Sequence, residues 1–134
     1  RKSGCGAYAH DDKDHVVPAI ITESREVEIS DHLASAINDF CLEASCTGGS
    51  MLDKYIFSRV LIGIINEAMW AVTEGVASPK DIDTAMKMGT NYPLGPLEWA
   101  SRIGFEKVHR LLSALNETVS DDRFASPPFG TVSA

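Results

Sequence analysis

The sequence predicts an all-α fold, a helical bundle around a long central apolar helix. From residue 30 onward, apolar residues recur at spacings of three and four, which is the period of an amphipathic helix. Glycines and proline-containing steps interrupt these runs at helix-length intervals. The chain has 134 residues, of which 44% are hydrophobic. This length and composition are typical of one soluble domain with one core.

Residues 1–30 differ from the helical remainder of the chain. Residues 1–14 are polar and have no helical period, whereas β-branched residues dominate at 16–21 and 25–30. Two short extended pieces joined by a turn are one interpretation. We favour the alternative, an irregular arm lying on the helical body, because Pro18 weakens any central strand.

The first helix is predicted to begin near Ser30. Its apolar side chains are spaced four, three, one and three residues apart, so they share one face of a helix. These side chains are Leu33, Ile37, Phe40, Cys41 and Ala44. The glycines within residues 47–50 are predicted to end this helix, since glycine readily adopts the left-handed conformation found at helix C-termini.

The second helix, residues 51–74, is predicted to be the central one. Apolar residues occupy nearly every face, and a helix that is apolar all round must be surrounded by other elements. One stripe contains Ile56, Val60, Ile64, Ala68 and Val72, and another contains Leu61, Ile65 and Met69. Arg59 and Glu67 lie within this helix. Since each charge would cost about 2.5–3.5 kcal/mol at a bilayer centre, we predict a buried core helix that does not span a membrane.

The third helix is marked at both ends. Gly75 is predicted to end the second helix, and Ser78 then caps the third, with Pro79 at its first position and Asp81 near the capping-box position. Gly89 is predicted to end the third helix. Its predicted inward-facing side chains are Ile82, Ala85 and Met86.

Two further helices follow a rigid corner at residues 92–96. Prolines fix the backbone there, and we expect Gly95 to permit a conformation that other residues resist. Pro96 is predicted to begin the fourth helix and Gly104 to end it, and residues 105–119 are predicted to form the fifth. The predicted inward residues are Leu97, Trp99, Ala100 and Ile103, then Phe105, Val108, Leu111, Leu112 and Leu115.

Charge and cysteine content exclude several classes of function. The net charge of −7 and the scattered basic residues argue against a nucleic-acid surface. Cys5, Cys41 and Cys46 are expected to be free thiols, because their number is odd and their spacing does not suit a metal site. No secretory leader pattern opens the sequence, so we expect a cytoplasmic protein. The histidines, His10, His15, His32 and His109, show no catalytic or metal-binding arrangement.

Residues 4–9 formally fit the dinucleotide fingerprint G-x-G-x-x-A. That fingerprint works only between a strand and a helix N-terminus, whose amides bind the pyrophosphate. Three residues precede Gly4, and the acidic residues 10–14 follow, so neither element is predicted. We interpret this match as accidental and expect no cofactor bound by this chain.

Five blocks of the sequence together resemble a known family. They read N-E-A at 66–68, E-G-V-A-S at 74–78, D-I-D-T-A-M-K-M-G at 81–89, Y-P-L-G-P-L at 92–97 and I-G at 103–104. They resemble the C-terminal helical domain of 3-hydroxyacyl-CoA dehydrogenases, closely over residues 55–117. The implied fold is similar to the 6-phosphogluconate dehydrogenase C-terminal-like fold.

The resemblance also implies a division of the chain. Residues 1–8 look like the G-x-G-F-Y ending of such a domain, and 123–128 resemble the R-Y-x-P-S-P close of a second repeat. Residues 1–30 would then be the end of a preceding repeat plus a linker arm. Residues 31–120 would be the helical domain, and residues 121–134 a tail.

The family's NAD site and catalytic His–Glu pair belong to an N-terminal Rossmann domain, which the resemblance implies is missing here together with a first helical repeat. The helical domain contributes an Asn in an N-R-L motif, and Ser58 occupies that position in this chain. Serine offers one hydroxyl where the amide offers a carbonyl and an NH2 group. We therefore expect neither a catalytic residue nor a metal in this chain, and interpret Ser58 as a helix-surface or back-bonded serine.

The resemblance suggests residues that line a substrate crevice or an interface between helical domains. These are Ser58, Arg59, Asn66, Glu67, Tyr92, Pro93, Gly95 and Pro96. Asn66 and Glu67 have two interpretations. They could line the crevice, or they could hydrogen-bond the loop around Tyr92 and Pro93, which is the interpretation we favour.

The predicted function is that of the C-terminal part of an NAD-dependent 3-hydroxyacyl-CoA dehydrogenase, in fatty-acid or related acyl-CoA oxidation. The chain would shape the acyl-CoA crevice, would not be catalytically competent alone, and would form a homodimer as a fragment. The alternative is a non-catalytic helical association module. A third interpretation, a hydroxyisobutyrate or phosphogluconate dehydrogenase, fits residues 81–96 less well.

Overall fold

The computed structural model describes residues 8–10, 16–18, 28–119 and 122–128. Within them, two short strands precede five α-helices and one 3-10 turn. The elements are β1 (Tyr8–His10), β2 (Val16–Pro18), α1 (Asp31–Glu43), α2 (Met51–Thr73), α3 (Pro79–Thr90), α4 (Pro96–Ile103), α5 (Phe105–Val119) and the turn Asp122–Phe124. The all-α prediction and its five helices are confirmed, with one small sheet added.

The added sheet is an antiparallel ladder of β1 and β2, in which Tyr8 pairs with Pro18 and His10 with Val16. The predicted irregular arm was therefore wrong for residues 16–18. Pro18 is tolerated because both strands of a two-stranded ladder are edges. Residues 25–27 of the other proposed extended piece lie outside the described residues. Strand β1 also occupies the place where a dinucleotide fingerprint requires a helix N-terminus.

Serine side chains begin three of the helices. The Ser30 hydroxyl accepts a hydrogen bond from the Leu33 amide at the start of α1. The Ser78 hydroxyl accepts one from the Asp81 amide at the start of α3, as predicted. At the start of α2, the Ser50 hydroxyl accepts a hydrogen bond from the Asp53 amide. The Asp53 carboxylate in turn accepts a hydrogen bond of 2.8 Å from the Ser50 amide. This reciprocal capping box was not identified in the sequence.

The ends of α1 and α3 differ from the prediction. Helix α1 ends at Glu43, and the left-handed residue behind it is Ser45, with φ 61°, rather than a glycine. Helix α3 continues past Gly89 to Thr90, and Asn91 takes the left-handed conformation, with φ 56°. Gly75, with φ 73°, does follow α2 as predicted. Asparagine tolerates this conformation better than most side chains do.

The core lies among α1, α2, α4 and α5 and takes in the 3-10 turn. Its largest fully buried side chains include Leu33, Ile37, Phe40, Ile62, Ile65, Met69, Leu111, Leu112 and Leu115. Phe124, from the segment predicted to be a tail, is 3% exposed and belongs to this core. The division of the chain at residue 120 stays a prediction, but burial of Phe124 ties the following turn to the helices.

Helix α2 is long, apolar and central, yet one of its faces is uncovered. Leu52, Ile56 and Val60 are all more than half exposed, so the expectation that α2 is surrounded on all sides was wrong for this face. Among the described residues, α2 is also the one helix long and apolar enough to cross a membrane. Its opposite face packs in the core. A core helix of a soluble protein passes the same test of length and composition.

Candidate functional site

Two open, apolar cavities adjoin each other along α2, next to the corner at residues 92–96. The larger, which we call the apolar groove, has a volume of about 630 Å³. It is lined by Ala44, Ser45, Cys46, Ile56, Phe57, Val60, Leu61, Ile64, Tyr92, Pro93, Pro96 and Trp99. The smaller cavity, about 520 Å³, shares Val60, Ile64 and Pro96 with it. The exposed face of α2 thus forms part of the larger cavity.

Buried Asp83 holds the corner from behind. Its Oδ1 accepts the backbone amide of Leu97 in the first turn of α4 at 2.8 Å. The predicted inward residue Ala85 is exposed, and Asp83 is the buried residue of α3 instead. The sequence contained one signal for it. Gly95 has no side chain to cap α4, so the free amides of that helix needed an acceptor from elsewhere.

Gly95 allows Asp83 to come close. Its φ of −72° is ordinary, so the expected special backbone conformation was wrong. A Cβ at Gly95 would lie 2.2 Å from Asp83 Oδ1 and 2.4 Å from its Cβ. Such distances are far inside van der Waals contact. Glycine is therefore required here for space rather than for conformational freedom.

A second carboxylate caps the same helix. Glu98 Oε2 accepts the Gly95 amide at 2.7 Å, and Glu98 Oε1 accepts from Lys87 Nζ at 2.7 Å. The pKa of Glu98 is lowered below its ordinary value, because both hydrogen bonds favour the ionised carboxylate. The hydrogen bond from Lys87 has the larger effect and that from the Gly95 amide the smaller. Helices α3 and α4 are thus joined by Asp83 and Glu98 at the start of α4.

Ser58 and Arg59 lie away from the groove lining. Ser58 is fully buried, and its hydroxyl donates to the backbone carbonyl of Tyr55 at 3.1 Å. This is the back-bonded serine that the sequence predicted. Arg59 donates to the Tyr55 hydroxyl at 2.8 Å, and its guanidinium lies 5.6 Å from the ring centroid of Phe124. Ser58 is thus buried in the core, and Arg59 reaches the segment after α5.

Asn66 has different partners from those predicted. It donates to the carbonyls of Arg123 and Ala125, both at 3.2 Å, rather than to the loop around Tyr92 and Pro93. Trp70 donates to the same Ala125 carbonyl at 2.8 Å. Among the residues that the structure describes, the buried Oδ1 of Asn66 has no hydrogen-bond partner. Asn66 therefore fixes the segment after α5 against α2.

The remaining predicted site residues lie around the cavities. Tyr92, Pro93 and Pro96 line the apolar groove, and exposed Glu67 lines the smaller cavity. Gly95 is buried behind them. The structure therefore groups Tyr92, Pro93, Pro96 and Glu67, and it separates them from Ser58, Arg59 and Asn66.

The chemistry of the groove is that of an apolar binding surface. Its polar groups are few, and burial raises the pKa of the nearby Cys41 thiol from 9.0 to about 11, so this thiol is protonated at neutral pH. Within the part of the chain that the structure describes, no group of three His, Cys, Asp or Glu could hold a metal ion. This arrangement can bind an apolar chain or an apolar helix face.

Comparison with known proteins agrees with the resemblance seen in the sequence. The family model for the 3-hydroxyacyl-CoA dehydrogenase C-terminal domain matches residues 55–132. The chain is 47% identical over 66 residues to 3-hydroxyadipyl-CoA dehydrogenase of Escherichia coli, covering 49% of this chain and 14% of that protein. It is 33% identical over 106 residues to a probable 3-hydroxybutyryl-CoA dehydrogenase of Deinococcus radiodurans, covering 78% and 38% respectively.

A solved structure is similar as well. The (S)-3-hydroxybutyryl-CoA dehydrogenase of Ralstonia eutropha superposes with a TM-score of 0.50 and 38% sequence identity. The match covers 52% of this chain and 24% of that one. The chain thus spans less than half the length of each of these three relatives.

Proposed function

The chain belongs to the 3-hydroxyacyl-CoA dehydrogenase family through its C-terminal domain, and we propose that it acts as the helical part of an NAD-dependent enzyme of this family. The whole enzyme oxidises the 3-hydroxyl group of an acyl-CoA by hydride transfer to NAD. In this proposal an N-terminal Rossmann domain supplies the cofactor site and the His–Glu pair, and a first helical repeat precedes this chain. We place this enzyme in cytoplasmic fatty-acid or related acyl-CoA oxidation.

In this enzyme the chain forms an apolar wall of the acyl-CoA crevice. The apolar groove carries this proposal, because its lining is almost entirely apolar and Tyr92 and Pro93 stand at its edge. An acyl chain is stabilised by burial against such a surface, by about 25 cal/mol for each Å² of apolar area removed from water.

A direct catalytic role for Ser58 is not part of the proposal. Ser58 is buried, and its hydroxyl already donates to the Tyr55 carbonyl. A catalytic group must reach the substrate, within hydrogen-bonding distance of the atom on which it acts. The chain therefore contributes binding and assembly, and the chemistry belongs to the other domain.

A second candidate function is association without a substrate contact. The observation that favours it is the exposed stripe, which we define as Leu52, Ile56 and Val60 at i, i+4 and i+8 on α2. Such spacing presents one continuous apolar face to a partner helix. Under this proposal the partner is a second copy of the chain, and the isolated fragment is a dimer.

One pair of variants in the whole enzyme separates the two functions. Ile56→Glu places a charge in the groove, while Leu52→Glu changes the same stripe outside the groove lining. A crevice role predicts that Ile56→Glu raises KM for the acyl-CoA at least about tenfold, roughly 1.4 kcal/mol of lost binding, with Leu52→Glu unchanged.

Light scattering on the isolated 134-residue chain, unmodified and with each of the same two substitutions, tests association. If the stripe is an interface, both variants lower the molar mass, and the acyl-CoA kinetics of the assembled fraction stay as in the unmodified enzyme. Equal KM values for all three proteins would reject the crevice role. An unchanged mass in both variants, or a monomeric unmodified fragment, would reject association through the stripe.

A further inference from the structure

The corner that borders the apolar groove is held in place by side chains outside the groove. Helix α4 begins at Pro96, which has no amide proton, behind Gly95, which has no side chain. Two of the amides at this end, those of Gly95 and Leu97, donate to the carboxylates of Glu98 and Asp83 respectively. A helix N-terminus favours such negative groups because its free amides and its dipole both point toward them.

The fit between Asp83 and Gly95 is tight enough to define the position of the corner. A Cβ at Gly95 would meet three atoms of Asp83 between 2.2 and 2.4 Å. The carboxylate reaches the Leu97 amide only because that space is empty. The backbone of α4 therefore cannot approach α3 further, and the hydrogen bond prevents it from moving away.

We propose that Asp83 is a positioning residue that sets the shape of the apolar groove through its Oδ1 acceptor. Asp83 does not line the groove. The lining does include Tyr92, Pro93 and Pro96, which precede the Leu97 amide that Asp83 holds. Trp99, two residues beyond that amide, lines the same groove. This inference rests on the proposed function of the groove as the acyl-binding wall.

The test compares Asp83→Ala and Asp83→Asn in the 134-residue chain, with Ser78→Ala as matched control. Asparagine retains an Oδ1 acceptor for the Leu97 amide, and alanine does not. Ser78→Ala removes the N-cap of the same helix α3, five residues before Asp83. The control therefore destabilises α3 without touching Asp83.

Amide NMR spectra give the first measurement, which requires no ligand. We expect Asp83→Ala to shift the signals of Tyr92, Gly95 and the Trp99 indole, and to speed hydrogen exchange of the Leu97 amide at least tenfold. Asp83→Asn should restore both, and Ser78→Ala should shift only signals near the start of α3. Unmoved groove signals in folded Asp83→Ala, failure of asparagine to restore them, or equal shifts in Ser78→Ala would overturn the proposal.

Binding of decanoyl-CoA, with free coenzyme A as control, gives the second measurement. We expect Asp83→Ala to weaken decanoyl-CoA binding at least tenfold, and Asp83→Asn and Ser78→Ala to change it less than twofold. If the unmodified chain does not prefer decanoyl-CoA over coenzyme A, the acyl-binding function fails, while the NMR result still decides the positioning role. If Asp83→Ala does not fold, Glu98→Ala is the substitute variant. We expect it to shift the same groove signals, and the absence of these shifts would overturn the inference.

Discussion

The two faces of helix α2 are both apolar in sequence but have opposite surroundings. On one face Ile62, Ile65 and Met69 are 0% exposed and pack in the core. On the other, Leu52, Ile56 and Val60 are 62%, 53% and 60% exposed. The same residue types therefore stabilise the fold on one face and remain available to a ligand or partner on the other.

The difference lies in what the neighbouring helices cover. Helices α1 and α5 pack beside the buried face, and ion pairs of Lys107 with Glu43 and of Arg110 with Asp39 join these two helices at the surface. Among the described residues, the exposed face borders the corner and forms part of the groove lining. An apolar stripe at helical spacing thus indicates that a surface needs a partner, without indicating whether that partner is in the same domain.

Alanine substitutions on the two faces should give the largest contrast. Ile65→Ala leaves a cavity in the core and should lower the free energy of unfolding by about 2–5 kcal/mol. Ile56→Ala removes the same atoms from a surface position and should change it by less than about 0.5 kcal/mol. Urea unfolding at low protein concentration, where any dimer has dissociated, measures both.

Equal effects of the two substitutions would mean that Ile56 is covered in the monomer, which would contradict the difference between the two faces. A loss of stability for Ile56→Ala that grows with protein concentration would indicate that the exposed face is covered in a dimer. That dependence is expected when a second copy binds the folded state and covers this face.

Asn66 lies on the buried side of α2 and should have an intermediate effect. Asn66→Ala leaves the carbonyls of Arg123 and Ala125 without their amide donor, although Trp70 still donates to Ala125. We expect a loss of about 1–3 kcal/mol in the free energy of unfolding. Hydrogen exchange should also rise selectively in residues 122–128. Asn38→Ala is the control, because Asn38 is exposed and its Oδ1 accepts a hydrogen bond from exposed Lys54 rather than from a distant backbone group.

The smallest expected effect concerns the corner and depends on pH. Because the pKa of Glu98 is lowered in the folded protein, its ionised form stabilises the fold above the ordinary value of 4.5, and this contribution is lost as the pH falls through the lowered pKa. Glu98→Gln should therefore reduce Tm above pH 4.5, and the difference from the unmodified chain should vanish in more acidic solution. A difference that grows on acidification would contradict this assignment. The effect is small because both Glu98 and Lys87 are well solvated.

Most element boundaries could be predicted because their signals are local. Ser78, Pro79 and Gly104 mark ends that depend on a few neighbouring residues, and α5 begins and ends where its apolar period predicted. Ser45 and Asn91 were missed because a left-handed residue is not always glycine. The β1–β2 pair was missed because residues 8–10 carry little strand signal.

The candidate site was only partly predictable. Its corner residues were identified through the resemblance, since Tyr92, Pro93 and Pro96 belong to a recognisable motif. Asp83 and the true partners of Asn66 were not, because each acts on backbone groups 14 or more residues away in the chain. The sequence alone showed that Asn66 needed partners, and the fold determined which ones it has.

The amino-acid sequence was enough to assign the helices and the family, because these follow from local spacing and from a motif that local backbone rules explain. The tertiary structure decided which face of α2 is buried, which carboxylates cap α4 and how the segment after α5 is held. Those outcomes depend on contacts between residues far apart in the chain. Apolar periodicity identifies a hydrophobic face, but it does not identify what covers that face.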